Sequence, residues 1–377
     1  MLVIFEFGVS VLLLISSVFI FKRMDFMNTK ELGFSKDQVL ILPHPGQQMD
    51  VMKSKLQERS DVKSSSATSA VPGERFIVLS VRVPDLAGTG STEELEDDGS
   101  RGLRVLCADE DIVQTLGLEI LDGRPFSLEF GTDSSSAFIL NEAAVLDLGL
   151  EDPVGKAFEY TYNLPEPKAG QIVGIVKDFH YASLHTEVDP LMIQIFPPYY
   201  RNLMVKLDTS DIQTSIADIQ ALWNQVVPNV PFDYSFLDTS YDQMYKSELN
   251  LKKIVSFFTL LAILVAALGL SGLTSYSTEQ RRKEIAIRKV LGASAINIFK
   301  NLSGEFVLLV IAANIIAWIP AWFFMKNWLQ EFAFQIDLTA WPFLLILIAV
   351  LMLTLLMIVG SSYRNIHANP VKSLHYE

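Results

Sequence analysis

Ile254-Val-Ser-Phe-Phe-Thr-Leu-Leu-Ala-Ile-Leu-Val-Ala-Ala-Leu-Gly-Leu-Ser-Gly-Leu-Thr-Ser275 contains no charged residue and follows Lys252-Lys253. A helix needs about 20 apolar residues to cross about 30 Å of hydrocarbon, and this run has that length. Three more runs of the kind, Leu2 to Phe21, Phe306 to Phe324 and Phe343 to Gly360, stand in the 377-residue chain. They account for a hydrophobic content of 50% and a mean hydropathy of +0.30, which exclude a wholly soluble enzyme. The first run has no basic residue ahead of it and no small-residue cleavage site, so it reads as an anchor helix ending at Lys22-Arg23, not a signal peptide. In the second, Ala262, Ala266, Gly269, Ser271 and Gly272 are small enough to let helices approach closely.

The net charge of −13 is unevenly spread: Glu31 to Asn250 holds 35 Asp/Glu against 16 Lys/Arg, net −19, and the remainder is net +6. An acidic segment of that strength repels phosphate backbones, so no nucleic-acid partner is expected. Ser277 to Asn301, with Arg281, Arg282, Lys283, Arg288, Lys289 and Lys300 against Glu279 and Glu284, is a short loop of net +4, and the positive-inside rule puts it in the cytoplasm. Parity then places the acidic segment and the Lys326 to Ala340 link outside, and the tail from Ser361 inside. Lys22, Arg23, Lys252 and Lys253 lie on the outer side in this scheme, which is tolerated because large domains translocate largely regardless of flanking charge. Cys107 is the single cysteine, so there is no intramolecular disulfide and no cysteine-based zinc site.

The expected fold class is an α-helical integral membrane protein with four transmembrane helices and a large extracytoplasmic mixed α/β domain inserted between helices 1 and 2. The boundaries read as 1–23 for helix 1, 24–250 for the outer domain with an inserted subdomain at about 76–190, and 251–276 for helix 2. A cytoplasmic segment at 277–301, helix 3 at 302–325, a short outer loop at 326–341, helix 4 at 342–360 and a tail at 361–377 complete the chain. Within the outer domain, Val39 to Leu42 and Val62 to Ala70 read as strands around a Met49 to Arg59 helix. Leu203 to Leu207 alternates, Asp211 to Val226 is helical with Ser210 as its N-cap, and Pro231 to Leu237 is extended. Ala137 to Leu140 is a strand leading into an Asn141 to Leu148 helix, and the Gly/Ser/acid-rich Gly88 to Gly102 is a loop.

Catalytic constellations are weak. Gly149 to Ala157 has five residues between Gly149 and Gly155, and Ala157 follows Lys156 where a phosphate-binding loop requires a hydroxyl, so it reads as a turn. His180 and His185, near Asp178, Glu187 and Asp189, are five apart and do not stack on one helix face, so a surface or interface role is expected in place of zinc ligation. No catalytic residue, cofactor or metal is expected.

The basic loop is the informative segment. Ser277 or Thr278 caps a helix whose Ile287, Val290 and Leu291 form an apolar stripe, and Gly292 ends it. Topology determination and contact with anionic lipid are its plain explanations. Beyond them, Glu279, Arg281, Glu284, Ile285, Ile287, Lys289, Leu291, Gly292 and Ala293 resemble the signature that follows the second membrane helix in FtsX/MacB-type ABC permeases. The Asn369-Pro-Val-Lys-Ser-Leu-His-Tyr-Glu377 tail is similar to that family's ending, with His375 for the usual Arg. Val71-Pro-Gly73, Gly123-Arg124, Leu140-Asn141-Glu142-Ala143, Asp152-Pro-Val-Gly-Lys156, Gly174-Ile-Val-Lys-Asp-Phe-His180 and Ser183-Leu-His185 resemble the second half of the long, eight-helix Bacteroidetes-type members.

The resemblance implies a permease-like subunit, not itself an enzyme, in the cell membrane. It implies a separate ABC ATPase subunit that docks on Glu279, Arg281, Arg282, Glu284, Ile285, Ile287, Arg288, Lys289, Leu291, Gly292 and Ala293. It also implies a second permease half, as homodimer or heterodimer, with ATP-driven motion passed to the outer domain for export or mechanotransmission. The chain is then either a four-helix subunit that pairs or half of an eight-helix permease. The alternatives are a membrane-anchored receptor without ATPase coupling and, more remotely, a membrane hydrolase using His180 or His185.

Overall fold

The computed structural model describes residues 2–84, 101–161, 168–184, 186–281, 284, 287–288, 295–330 and 337–366. The chain divides into two units, Met1–Thr29 with Ser247–Glu377, and Lys30–Lys246. In the first unit the apolar runs form α1 (Leu2–Thr29), α8 (Lys246–Gln280), α9 (Ala295–Gln330) and α10 (Trp341–Ile366). Their spans long and apolar enough to cross a membrane are Ile4–Phe26, Leu249–Ser277, Ser303–Gln330 and Trp341–Gly360. Several helices extend past these spans, because a helix satisfies its own backbone whether its flanks are apolar or not.

Phe7, Val11, Ile15 and Phe19, four apart along α1, form one buried face and share a core with Ala313, Ala317 and Ala321 of α9 and Ile346 and Val350 of α10. The alanines let α1 and α9 pack closely. Helix α8 is the least covered, with 17% of its apolar window buried against 44% for α1. Its Ala266 and Leu270 join that core, and two hydroxyls link it to α1: Ser10 Oγ donates to the Ala262 carbonyl at 3.0 Å and Thr259 Oγ1 to the Leu13 carbonyl at 3.4 Å. Gly269 leaves room for the Glu6 carboxyl, which a Cβ at that position would strike.

Among the described residues the second unit holds two sheets. The smaller has the order β11-β1-β10-β2, from β1 (Val39–Pro43), β2 (Val62–Thr68), β10 (Asn202–Leu207) and β11 (Ser235–Phe236). β10 runs antiparallel to both β1 and β2, so β1 and β2 are parallel with a strand from the far end of the domain between them. The helices α2 (Met49–Gln57) and α6 (Ile212–Val226) cover one face, where Met52, Leu56, Ile219 and Trp223 pack on Leu40, Leu42, Leu203 and Val205. The N-cap of α6 is Asp211, whose Oδ1 accepts from the Thr214 amide at 3.2 Å, and not the expected Ser210; a carboxylate there also complements the helix dipole.

The larger sheet has the order β5-β8-β6-β9-β4-β3-β7. Its strands are β3 (Ile77–Arg82), β4 (Arg101–Cys107), β5 (Ile120–Gly123), β6 (Ala137–Asn141), β7 (Ala157–Thr161), β8 (Lys168–Val176) and β9 (Leu191–Gln194). β7 pairs with both β3 and β8, which closes six strands into a ring with β5 attached to β8 and leaves few open edges. The strands alternate accordingly: Phe138, Leu140, Val105 and Phe158 share one core, while Ile139, Leu106 and Ile193 share another with Val39, Ile41 and Met204 of the smaller sheet. Most of 88–102, expected as a loop, lies outside the described residues, although Arg101 and Gly102 belong to β4.

Asn141, fully buried where β6 meets α5 (Glu142–Asp147), locks this arrangement. Its Oδ1 accepts from the Ala144 amide at 3.0 Å and the Leu191 amide at 2.8 Å, and its Nδ2 donates to the Asp189 carbonyl at 3.1 Å. Asn141→Ala removes a helix cap and strands a buried amide, a cost of about 2–4 kcal/mol. The expected outcome is a clearly lowered thermal-unfolding midpoint for the full chain in detergent; an unchanged midpoint would show that the junction carries no stability.

Candidate functional site

Two regions gather the candidate residues and the attachments of the α/β domain to the rest of the chain. The first is the segment after α8. Helical bonding continues from α8 to Arg281, whose amide donates to the Ser277 carbonyl at 3.1 Å. Its guanidinium donates to both carboxyl oxygens of Glu305 in α9, at 2.8 and 3.0 Å, and so ties the start of the segment to the next helix. Glu284 and Arg288 pair at 2.6 Å one turn apart, and Ile287 is 54% exposed beside them. Glu279 is exposed as well. Exposed pairs of this kind are worth about 0–1 kcal/mol, so they orient the surface more than they stabilise it. Arg282, Ile285, Lys289, Leu291, Gly292 and Ala293 lie outside the described residues.

The second place is in the other unit, where the chain enters the domain after α1 and leaves it before α8. Gly33 adopts φ +78°, and a Cβ on it would lie 2.8 Å from the Asp178 carbonyl oxygen and 3.0 Å from the Phe179 Cα. A side chain here is both strained and crowded. One residue earlier, the Leu32 carbonyl accepts from the His180 amide at 2.7 Å. From the outgoing side, α7 (Leu237–Gln243) directs the Tyr241 hydroxyl at the His180 carbonyl, 2.9 Å, and the Ala182 carbonyl, 3.2 Å. One turn on, the Tyr245 hydroxyl accepts from the Leu184 amide at 3.0 Å. Phe34 packs edge-on to both Phe179 and Tyr241, and Lys36 pairs with Asp242 at 3.3 Å. Incoming and outgoing segments are thus fastened to one loop, Asp178 to Leu184.

That loop is rooted in the domain core. Tyr181 is buried, stacks on Phe76 with ring centroids 4.6 Å apart, and reaches the Asp189 carbonyl at 3.2 Å. Asp178 Oδ1 accepts from the Ala143 amide while Glu142 Oε2 accepts from the Asp178 amide, both at 3.0 Å, a reciprocal staple between β8 and α5. The outer-domain motif residues therefore serve as architecture. Gly174 passes the Arg124 carbonyl too closely for any Cβ, and Gly149 and Gly155 take φ of +63° and +88° in a turn.

His180 belongs to this clamp, and His185 lies outside the described residues. Among the described residues no group of three or more His, Cys, Asp or Glu is arranged to hold a metal ion. Sequence reasoning missed Gly33, Phe34, Tyr241 and Tyr245. The signals were a glycine soon after the anchor helix and two tyrosines at i, i+4 just ahead of the second one.

Four apolar helices and an α/β domain between the first two define a multi-pass membrane protein with a large extramembranous domain. Residues 256–370 match the family FtsX-like permease C-terminal, a stretch that takes in most of α8 and all of α9 and α10. With the net positive loop inside, the α/β domain is extracytoplasmic and the protein resides in the cell membrane. Among solved structures, the periplasmic region of MacB from Actinobacillus actinomycetemcomitans is 13% identical, covering 55% of this chain and 93% of its own, with a TM-score of 0.39. The extracellular domain of the ABC-type transporter YknZ from Gram-positive bacteria is 15% identical, covering 52% and 97%, with a TM-score of 0.36. No curated protein matches the chain in sequence.

Burial, and next the charge of Lys30, lower the His180 pKa to about 4 from the ordinary 6.5. The unfolded chain takes up this proton near pH 6.5 and the native chain only near 4, so stability is lost as pH falls through that interval. The expected result is that wild type loses stability relative to His180→Asn below about pH 6.5, read from denaturant midpoints. Parallel curves would contradict the burial of this imidazole.

Proposed function

We propose that the chain is the transmembrane subunit of an ABC transporter, carrying ATP-driven motion from a separate ATPase subunit to its extracytoplasmic domain for export or mechanotransmission. The observation that carries this reading is the family match over 256–370, which takes in the segment after α8. In this reading residues 277–301 are the coupling segment. The ATPase docks on Glu279 to Ala293, with Glu284 and Ile287 presented at the surface. ATP is hydrolysed in the partner, and this chain performs no chemistry of its own.

Motion of α1 and α8 enters the outer domain through the peptide links at Lys30 and Lys246, and both lead to the Asp178 to Leu184 loop. A second permease half, identical or homologous, completes the working unit, because the family's ATPases act in pairs and two-fold closure is the commonest arrangement. Rigid-body transmission of this kind needs packed elements with discrete arrangements, and the clamp supplies a packed joint.

Purification from the native membrane in mild detergent is expected to bring along an ABC ATPase. Glu284→Ala removes a pair worth only about 0.3–0.5 kcal/mol, too little to unfold the segment. Gly292→Val tests the helix end read from the sequence. Both variants are expected to insert at normal levels and to lose several-fold in partner-stimulated ATPase activity. Full coupling in both, at normal membrane levels, would instead favour lipid contact as the segment's role.

A further inference from the structure

An open cleft of about 720 Å³ lies between α3 (Ile112–Leu116) and the Pro125 to Glu129 loop. Its size falls within the range of about 300–1,000 Å³ typical of binding pockets. The floor is apolar but narrow: Leu118 and Phe126 are buried in the core between the two sheets, and the partly buried Val113 packs against them. At the lip Leu128 is 70% exposed. This residue is not on a loose tip. Arg124 forks onto the buried Asp133, with Nη1 to Oδ2 at 2.5 Å and Nη2 to Oδ1 at 2.9 Å, and the Ser127 amide donates to the same carboxylate at 2.9 Å. The guanidinium also lies 3.9 Å from the Phe130 ring centroid, so the loop is braced from both sides.

The charge around the cleft is one-sided. Glu110, Asp111 and Glu129 line it. Lys53 approaches Asp111 at 2.9 Å and Glu110 at 3.6 Å, but its shortest contact, 2.5 Å, is to the buried Asp109. Arg124 is committed to Asp133. The cleft therefore keeps a negative excess over an apolar floor, which complements a cation carrying an apolar face.

We propose that this cleft docks a basic, amphipathic segment of an extracytoplasmic protein partner, with apolar side chains on Val113 and Leu128 and Lys or Arg toward Glu110, Asp111 and Glu129. The back wall connects the site to the incoming segment. The Ser35 amide donates to the Leu116 carbonyl at the end of α3 at 2.7 Å, and Gly117, at φ +65°, lets the chain turn there against Ser35. An occupant that shifts α3 thus acts on the same stretch of chain that Gly33 fastens to the clamp.

The probe is a fluorescent Leu/Lys amphipathic peptide, titrated by anisotropy against the full chain in uncharged detergent, with a Leu/Glu peptide of the same pattern as comparator. Leu128→Ser with Glu129→Lys changes two exposed positions, and an unchanged thermal midpoint certifies the fold. Wild type is expected to bind the Leu/Lys peptide at least about tenfold more tightly than the double variant, and more tightly than it binds the Leu/Glu peptide. Equal affinity for wild type and variant, or for both peptides, would overturn the proposal and leave micelle partitioning as the cause of any signal. A photoreactive residue at Leu128 is expected to cross-link the peptide, and one at Leu146, 80% exposed on α5, is not; equal yields would also overturn it. No ATPase takes part, so failure here leaves the transporter reading intact, and failure of that reading leaves this one intact.

Discussion

The Tyr241 hydroxyl and the Gly33 backbone hold the same few residues from opposite ends of the domain sequence. Tyr241 reaches the carbonyls of His180 and Ala182, and Gly33 rests against Asp178 and Phe179 with no room for a Cβ. A large domain hung between two membrane helices can be moved by them only if its two attachments are fixed to something stiff. Here that is one loop, buried by aromatic packing of Phe34, Phe179, Tyr181 and Tyr241. Aromatic pairs contribute about 0.5–1.5 kcal/mol beyond area burial, and several meet at this point.

Stiffness behind the loop comes from the closed ring of strands. β8 runs directly into it and is held on both sides, by β6 in parallel and by β5 and β7 antiparallel. Gly170 and Gly174 in β8 permit close passage of the Ser136 and Arg124 backbones, so the strand is gripped along its length. The smaller sheet adds a second restraint, because its β1 pairs with β10 and β11 and so joins chain from both ends of the domain. The membrane unit is less evenly packed: α1, α9 and α10 supply most of its core, to which α8 adds Ala266 and Leu270 beside two hydroxyl contacts with α1. A sparsely held helix is suited to moving, or to meeting another subunit.

What could be read from sequence was whatever depends on local pattern. The four apolar runs announced their helices because crossing hydrocarbon demands length and composition alone. Val39 to Leu42, Met49 to Arg59 and Leu203 to Leu207 were legible because alternation and helical spacing are short-range signals. Long-range matters were not. Nothing near Ala157 to Thr161 says that this strand bridges β3 and β8, and nothing near Gly33 names Tyr241, some two hundred residues away, as its counterpart. The choice of Asp211 over Ser210 as a cap turned on one residue of register, which propensity does not resolve. At the candidate site, the segment after α8 was singled out by motif spacing alone, and six of its eleven residues lie outside the described residues, whereas the clamp was invisible because its members are a glycine, aromatics and backbone carbonyls that carry no motif.

The most direct test of the clamp is a distance measurement by pulsed electron paramagnetic resonance between nitroxides at Lys36 and Asp242 in the full chain in lipid. Both positions are at the surface, and the ion pair they replace is a minor one. Cys107, the only native thiol, is buried and escapes labelling. The clamp predicts a single short, narrow distance distribution; a broad or two-peaked distribution would show that the incoming and outgoing segments move independently and would contradict it.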